Sequence, residues 1–199
     1  MTRLSSPDPV RETGTALVLI DFVNSLDFPG GDALFRRALP AARAAGALQM
    51  RARQSSVPSI FVNDLFETGA TGLRDLVAYH REQGGRGGAM VEALAVDPDR
   101  DHFVAKPMYS AFFRTDLDAL LRRQRVAHLI LTGVAADICV LASAFDARMR
   151  GFDLSVPCDC VAAESADAEL WALRHMARVL GADLQPSPAY SLSAFGPAA

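Results

Sequence analysis

The run Val126-Ala127-His128-Leu129-Ile130-Leu131-Thr132-Gly133-Val134-Ala135-Ala136-Asp137-Ile138-Cys139-Val140 decides how the rest of the chain is read. Its first six residues predict a strand covered on both faces. The following Leu141–Arg150 reads as a helix that Gly151 stops. Cys139 therefore falls where a strand hands over to a helix. In an open parallel sheet that carboxyl edge is where ligands bind. Helix N-termini also carry a partial positive charge, which favours a thiolate over a thiol. Cys139 is thus a candidate nucleophile.

Outward from this run the chain alternates strand and helix. Towards the N-terminus, Ala16-Leu17-Val18-Leu19-Ile20 is a continuous apolar run ending in Asp21 and predicts a central strand. Asp32 is placed to cap a long helix running to about Gln54, with Pro40 marking a kink or a fresh start. Residues 57–63 predict a second strand, with Asp64 at its end, and 102–105 a third that leads into Lys106-Pro107. Helical pieces are expected over 73–81 and 89–95, with the glycine cluster at 84–88 as a surface loop. That cluster lacks the Lys-Ser/Thr ending of a phosphate-binding loop. Thr115 is read as the cap of a helix through Arg125. Residues 152–156 predict a fifth strand, and a helix starting at Ser165 or Asp167 runs to Leu180. Residues 182–184 are a weak candidate for a sixth strand. The pattern implies a three-layer α/β/α domain with a mainly parallel, six-stranded sheet. Residues 1–14 read as an N-terminal arm and 15–199 as one domain.

Composition narrows the function classes. A formal net charge of −3 and a pI near 5.8 give no electrostatic footprint for nucleic acid or an anionic membrane. No apolar run approaches the ~20 residues of a membrane span. The first residues lack the apolar core of a signal peptide. Three cysteines, two of them crowded as Cys158-Asp159-Cys160, do not make a disulfide framework, and a cytoplasmic location is expected. On a strand Cys158 and Cys160 would share a face, and they are read as buried structural thiols in preference to a redox pair.

Three reactive residues stand at predicted strand ends: Asp21, Lys106 and Cys139. A thiol is mostly protonated at neutral pH, while the thiolate is the nucleophile. Asp21 could take that proton, and the Lys106 ammonium could stabilise both partners. Burial raises a carboxyl pKa and a neighbouring cation lowers it, so the sequence leaves the balance at Asp21 open. Taken singly, each residue has a plain structural reading: a turn-forming aspartate, a surface lysine, a core thiol.

What joins them is a resemblance. Residues 15 to 165 resemble the isochorismatase-like cysteine hydrolase superfamily, which includes nicotinamidases, N-carbamoylsarcosine amidohydrolases and ureidoacrylate hydrolases. The stretches that carry it are Ala16–Asn24, Lys106-Pro107-Met108-Tyr109-Ser110-Ala111-Phe112 and Gly133–Val140. The resemblance implies Asp21 as base and acid, Lys106 as electrostatic partner and Cys139 as nucleophile. It also implies a cis peptide between Val134 and Ala135 and an oxyanion hole made by the backbone N–H groups of Ala135 and Cys139. The position after Ala135, often Thr in the family, is Ala136 here. The implied activity is hydrolysis of a small amide, ureide or carbamoyl C–N bond through a thioester, with a small-molecule substrate as partner and a homodimer or homotetramer as assembly. Nicotinamidases build a metal site around Asp-x-His after the second strand. This chain has Asp64-Leu65-Phe66 there, so no metal cofactor is expected. Isochorismatases that cleave a vinyl ether do not use a cysteine, so Cys139 argues for C–N hydrolysis. A non-catalytic binding member of the same fold stays open, whereas a flavin- or nucleotide-binding domain is disfavoured because the first turn has no Gly-x-Gly-x-x-Gly.

Candidate pocket residues are Phe22, Asn24, Phe28, Phe66, Tyr109, Phe112 and Phe113, of which at most half are expected to touch ligand. Arg74, Arg81 or Arg86 could bind a substrate carboxylate.

Overall fold

The computed structural model describes residues 14–65 and 68–192. The expected arm, residues 1–14, lies outside it except for Gly14, which opens the first strand. Phe66 also lies outside the described residues. The strands are β1 Gly14–Ile20, β2 Ser59–Asn63, β3 His102–Ala105, β4 Val126–Val134, β5 Asp153–Ser155 and β6 Val161–Ala162. The helices are α1 Gly31–Gln54, α2 Leu73–Gln83, α3 Gly85–Ala93, α4 Leu117–Arg123, α5 Leu141–Met149 and α6 Ala166–His175.

All pairings between the strands are parallel, in the order β3-β2-β1-β4-β5, with β6 continuing alongside the carboxyl end of β4. β1 is central and buried on both faces, which is why it reads as an unbroken apolar run. Alternation along it sorts the core. Leu17 and Leu19 join one cluster with Leu34, Leu48, Leu76 and Met90, from α1, α2 and α3. Ala16, Val18 and Ile20 join the other with Leu121, Ala144 and Met176, from α4, α5 and the π-helical turn Met176–Leu180 that extends α6. Helices thus cover both faces, and the three-layer α/β/α architecture with a parallel six-stranded sheet is the one the sequence implied.

Several boundaries differ for physical reasons. α1 runs unbroken through Pro40, so there is no fresh start, and its N-cap is Gly30 at φ 91° with Asp32 inside the first turn. The glycine cluster is not a loop: Gly85, Arg86, Gly87 and Gly88 form the first turn of α3. Low helix propensity yields there to close packing. A Cβ on Gly87 would stand 2.6 Å from His80 Nδ1, so only glycine lets α3 approach α2. Thr115 lies one residue outside the N-cap Asp116; its hydroxyl donates to Ala111 O at 2.6 Å. Ser165 is the cap of α6, accepting from Ala168 N at 3.1 Å.

The sixth strand is Val161–Ala162 rather than 182–184, which makes only one bridge, between Asp183 and Ser155. Its two residues pair with Gly133 and Val134, directly behind the strand–helix junction. The cysteines before it are not on a strand. They sit in a turn closed by Cys160 N donating to Pro157 O at 2.9 Å, and they pack into opposite core clusters. Both are free thiols. No helix among the described residues is long and apolar enough to cross a membrane.

Candidate active site

The carboxyl ends of β1, β2 and β4 meet at one edge of the sheet, and the register makes the meeting close. Ile20 lies opposite both Val62 and Gly133. Asp21 follows β1 directly, held by its N–H donating to Val62 O at 2.9 Å, with a left-handed φ of 52° that turns the chain out of the sheet. Lys106 follows β3, and its N–H donates to Asn63 O at 2.9 Å. Gly133 leads into a cis peptide between Val134 and Ala135. A π-helical turn over Ala136–Val140 then carries Cys139.

The ends of β1 and β3 and the π-helical turn after β4 bring Asp21, Lys106 and Cys139 together. Lys106 Nζ lies 2.8 Å from Asp21 Oδ2 and 3.7 Å from Cys139 Sγ, and it donates to Met108 O at 3.0 Å. Three acceptors take the three protons that an ammonium can donate. Asp21 and Lys106 are only 7% and 5% exposed. The other carboxylate oxygen, Asp21 Oδ1, is buried and has no hydrogen-bond partner among the described residues.

Burial dominates the electrostatics. It lifts the Asp21 carboxyl above its ordinary range, and the Lys106 ammonium offsets the shift only in part. Burial also opposes charge on Lys106, but Asp21 and Cys139 outweigh it and hold the ammonium above its usual value. The Cys139 thiol is pushed up to about 12, first by burial and then by the Asp21 charge. The resting group is therefore a thiol, contrary to the expectation from a helix N-terminus. Cys139 is the fourth residue of its turn, and helix-terminal charge fades within one turn, so desolvation wins.

The backbone around Cys139 is pinned. Ala135 O accepts from the N–H groups of Ile138 at 3.1 Å and Val140 at 3.2 Å. Ser143 Oγ donates to Cys139 O at 2.7 Å and accepts from Ala111 N at 2.9 Å, tying the turn to the loop after Lys106. Ser110 Oγ adds a hydrogen bond to Asp146 of α5. Sequence reading missed these serines. Their signal was spacing, since Ser143 and Asp146 lie three apart and so share one face of α5.

A cavity of about 200 Å³ opens above the sulfur. Asp21, Val134, Ala135 and Cys139 form its floor, and Leu26, Leu34 and Ile138 give it apolar wall. Asn24, Phe28 and Tyr109 line it as expected from sequence, although Asn24 Oδ1 is already engaged by Leu26 N at 2.7 Å. The other aromatic candidates among the described residues do not. Phe22 is fully buried in the α1-side core, and Phe112 is buried against Phe152 in a stacked pair. Phe113 is half exposed and lies away from the cavity lining. Asp64 and Glu164 line it unforeseen. The arginines offered as carboxylate binders do not reach it: Arg74 pairs with Asp99, and Arg86 with Asp27 and Asp32.

Residues 15–185 match the isochorismatase domain. The chain belongs to the isochorismatase family. One similar relative is the uncharacterized isochorismatase family protein YaaI of Bacillus subtilis (strain 168), 32% identical over 85% of this chain and 92% of that protein. Among solved structures, the nicotinamidase SaPncA from Staphylococcus aureus superposes with a TM-score of 0.67 at 29% identity, covering 87% of this chain and 98% of that one. The N-carbamoylsarcosine amidase from Thermoplasma acidophilum gives 0.64 at 28%, covering 89% and 99%.

A nicotinamidase-type metal site does not fit these residues. Asp64 and the buried His80 line a neighbouring cavity of about 210 Å³, but the position two beyond Asp64 is Phe66. Among the described residues no group of three His, Cys, Asp or Glu side chains could hold a metal ion. A transition-metal site usually needs three or four protein ligands.

Proposed function

We propose that this isochorismatase-family hydrolase cleaves a small amide, ureide or carbamoyl C–N bond through a thioester on Cys139. The observation that carries the reading is the convergence of Asp21, Lys106 and Cys139 at one buried point beside a cavity. Because the thiol rests protonated, its proton must leave as sulfur attacks. Asp21 is the acceptor at hand: burial makes its carboxylate a stronger base than a solvated one. The transfer leaves thiolate and carboxyl, with Lys106 Nζ in reach of both and stabilising the sulfur charge.

Sulfur then adds to the substrate carbonyl carbon. Ala135 and Cys139 both line the cavity, and in this reading their backbone N–H groups donate to the oxyanion. Collapse breaks the C–N bond, and the Asp21 carboxyl gives its proton to the leaving nitrogen. Water enters, Asp21 takes a proton from it, and hydroxide attacks the thioester. The acid product leaves and the proton returns to sulfur. No step is routed through a metal ion. A small-molecule substrate suits the cavity volume, and a homodimer or homotetramer remains the proposed assembly.

The test is ammonia release from a panel of small amides, ureides and carbamoyl compounds, with and without chelator, for the wild type and Cys139→Ser. Turnover that survives chelator and is lost in the variant is the expected result. Undiminished turnover by Cys139→Ser would sink the mechanism.

A further inference from the structure

Carboxylates prevail in the lining of the reaction cavity. Asp21, Asp64 and Glu164 border it, and among the described residues no lysine or arginine does, the Lys106 ammonium lying behind its floor. That ammonium is fully engaged by Asp21, Met108 O and Cys139 Sγ, so it has no proton left for a ligand. Asp64 already acts at this distance, since its charge pulls upward on the proton affinity of both Asp21 and Lys106. Asp21 Oδ1, buried and without a partner, is an acceptor at the same cavity that an incoming N–H group could satisfy.

Of the two carboxylates in this set that chemistry at sulfur does not use, Asp64 and Glu164, the second has a seat of its own. Glu164 stands two residues beyond the end of β6, and its carboxylate rests against the backbone of Gly30, the N-cap of α1. A Cβ there would stand 2.8 Å from Glu164 Oε2, so the absence of a side chain at Gly30 makes the room. The seat lies at the N-terminus of a 24-residue helix, where a negative charge is favoured. Glu164 thus lines the cavity together with Tyr109 and Ile138, and its exposure puts it at the solvent side.

We propose that Glu164 is a specificity-determining residue of this cavity, selecting an amide or ureide whose far end is uncharged or cationic over one that ends in a carboxylate. The proposal rests on the cavity being the reaction site. Glu164 is exposed to solvent, so the effect is a short-range, salt-screened one at the cavity entrance: a like charge is repelled there, while an ammonium or N–H donor is attracted.

Alkylation of Cys139 reads this without requiring hydrolysis, because sulfur displaces halide and the thiol proton leaves to solvent. Rates at Cys139 are measured by peptide mass mapping for iodoacetamide, iodoacetate and 2-bromoethylammonium, each divided by its rate with 2-mercaptoethanol. In the wild type, normalised iodoacetate should be about tenfold slower than iodoacetamide, and the cation faster. Glu164→Gln should shrink the gap to about threefold, and Glu164→Lys should reverse its sign. Iodoacetate labelling as fast as iodoacetamide, or a gap that neither substitution alters, overturns the assignment. Turnover of butyramide, 3-aminopropionamide and succinamate is followed in parallel. Preference for succinamate overturns the assignment and leaves the hydrolase reading intact. No turnover of these amides or of the ureide and carbamoyl panel, with the alkylation order kept, overturns the C–N hydrolysis reading and leaves the charge selectivity established.

Discussion

Lys106 Nζ and Asp21 Oδ2 lie 2.8 Å apart with both side chains almost wholly shut off from solvent. A buried ion pair gains little over an apolar pair of the same shape, because both charges lose their water. Breaking it from one side is another matter. Lys106→Met leaves the Asp21 carboxylate buried and unpaired, and should cost about 3–5 kcal/mol of stability. Urea denaturation at neutral pH measures it, and a loss below about 1 kcal/mol would show that the pair is not buried in solution.

Asp21→Asn keeps the shape and removes the base. The folded protein should lose about 10²–10⁴ in kcat/KM, the usual scale of general base catalysis. Alkylation of Cys139 at neutral pH should slow alongside. A variant that labels and turns over as the wild type does would remove Asp21 from the mechanism.

The pH dependence follows from the direction of two shifts. Asp21 must be ionised to accept the thiol proton, and its folded pKa is raised from 3.8. The acid limb of kcat/KM should therefore have its midpoint above that value. Cys139 sits at about 12, so no second rise is expected near pH 8–9, where an ordinary thiol ionises. For stability the sign runs the other way. A raised folded pKa means that the folded state favours the protonated carboxyl. Its contribution is full below pH 3.8 and is lost as pH rises through the raised folded value. The stability of the wild type relative to Asp21→Asn should fall across that window in urea titrations.

Ser143→Ala removes one hydroxyl that serves two backbone groups, Cys139 O and the buried Ala111 N–H. Leaving the N–H unsatisfied should cost about 1–3 kcal/mol. Because the same bond positions the turn carrying Cys139, kcat should fall with little change in KM. A fall confined to KM would argue that Ser143 has no hold on the sulfur.

Gly133→Ala tests the junction itself. Its φ is 137°, and a Cβ would stand 2.2 Å from Ile20 O. Neither strand end can yield without moving Asp21 or Cys139. The substitution should destabilise by about 3 kcal/mol or more and abolish Cys139 labelling. A soluble, normally labelled Gly133→Ala protein would contradict the register between β1 and β4.

Much of this was legible in the chain. The buried runs at 16–20 and 126–131 could only be central strands, and each reactive residue follows a strand end, so parallel topology alone brings Asp21, Lys106 and Cys139 to one edge. β6 was hidden because two residues beside a polar turn carry no periodicity. The first turn of α3 was hidden because glycine is favourable there only against His80. Which of the candidate aromatics face the cavity was not legible for a similar reason: neighbours in sequence such as Phe112 and Phe113 meet opposite environments, one stacked on Phe152 and the other half exposed.

The sequence by itself determined the layered parallel sheet and the chemical groups at its edge, because strand periodicity and residue identity are local properties. Only the tertiary structure decided that the Cys139 thiol rests protonated, that Lys106 has no proton to spare, and that Glu164 borders the cavity. Those outcomes depend on desolvation and on distances between segments far apart in the chain, and no local pattern encodes either.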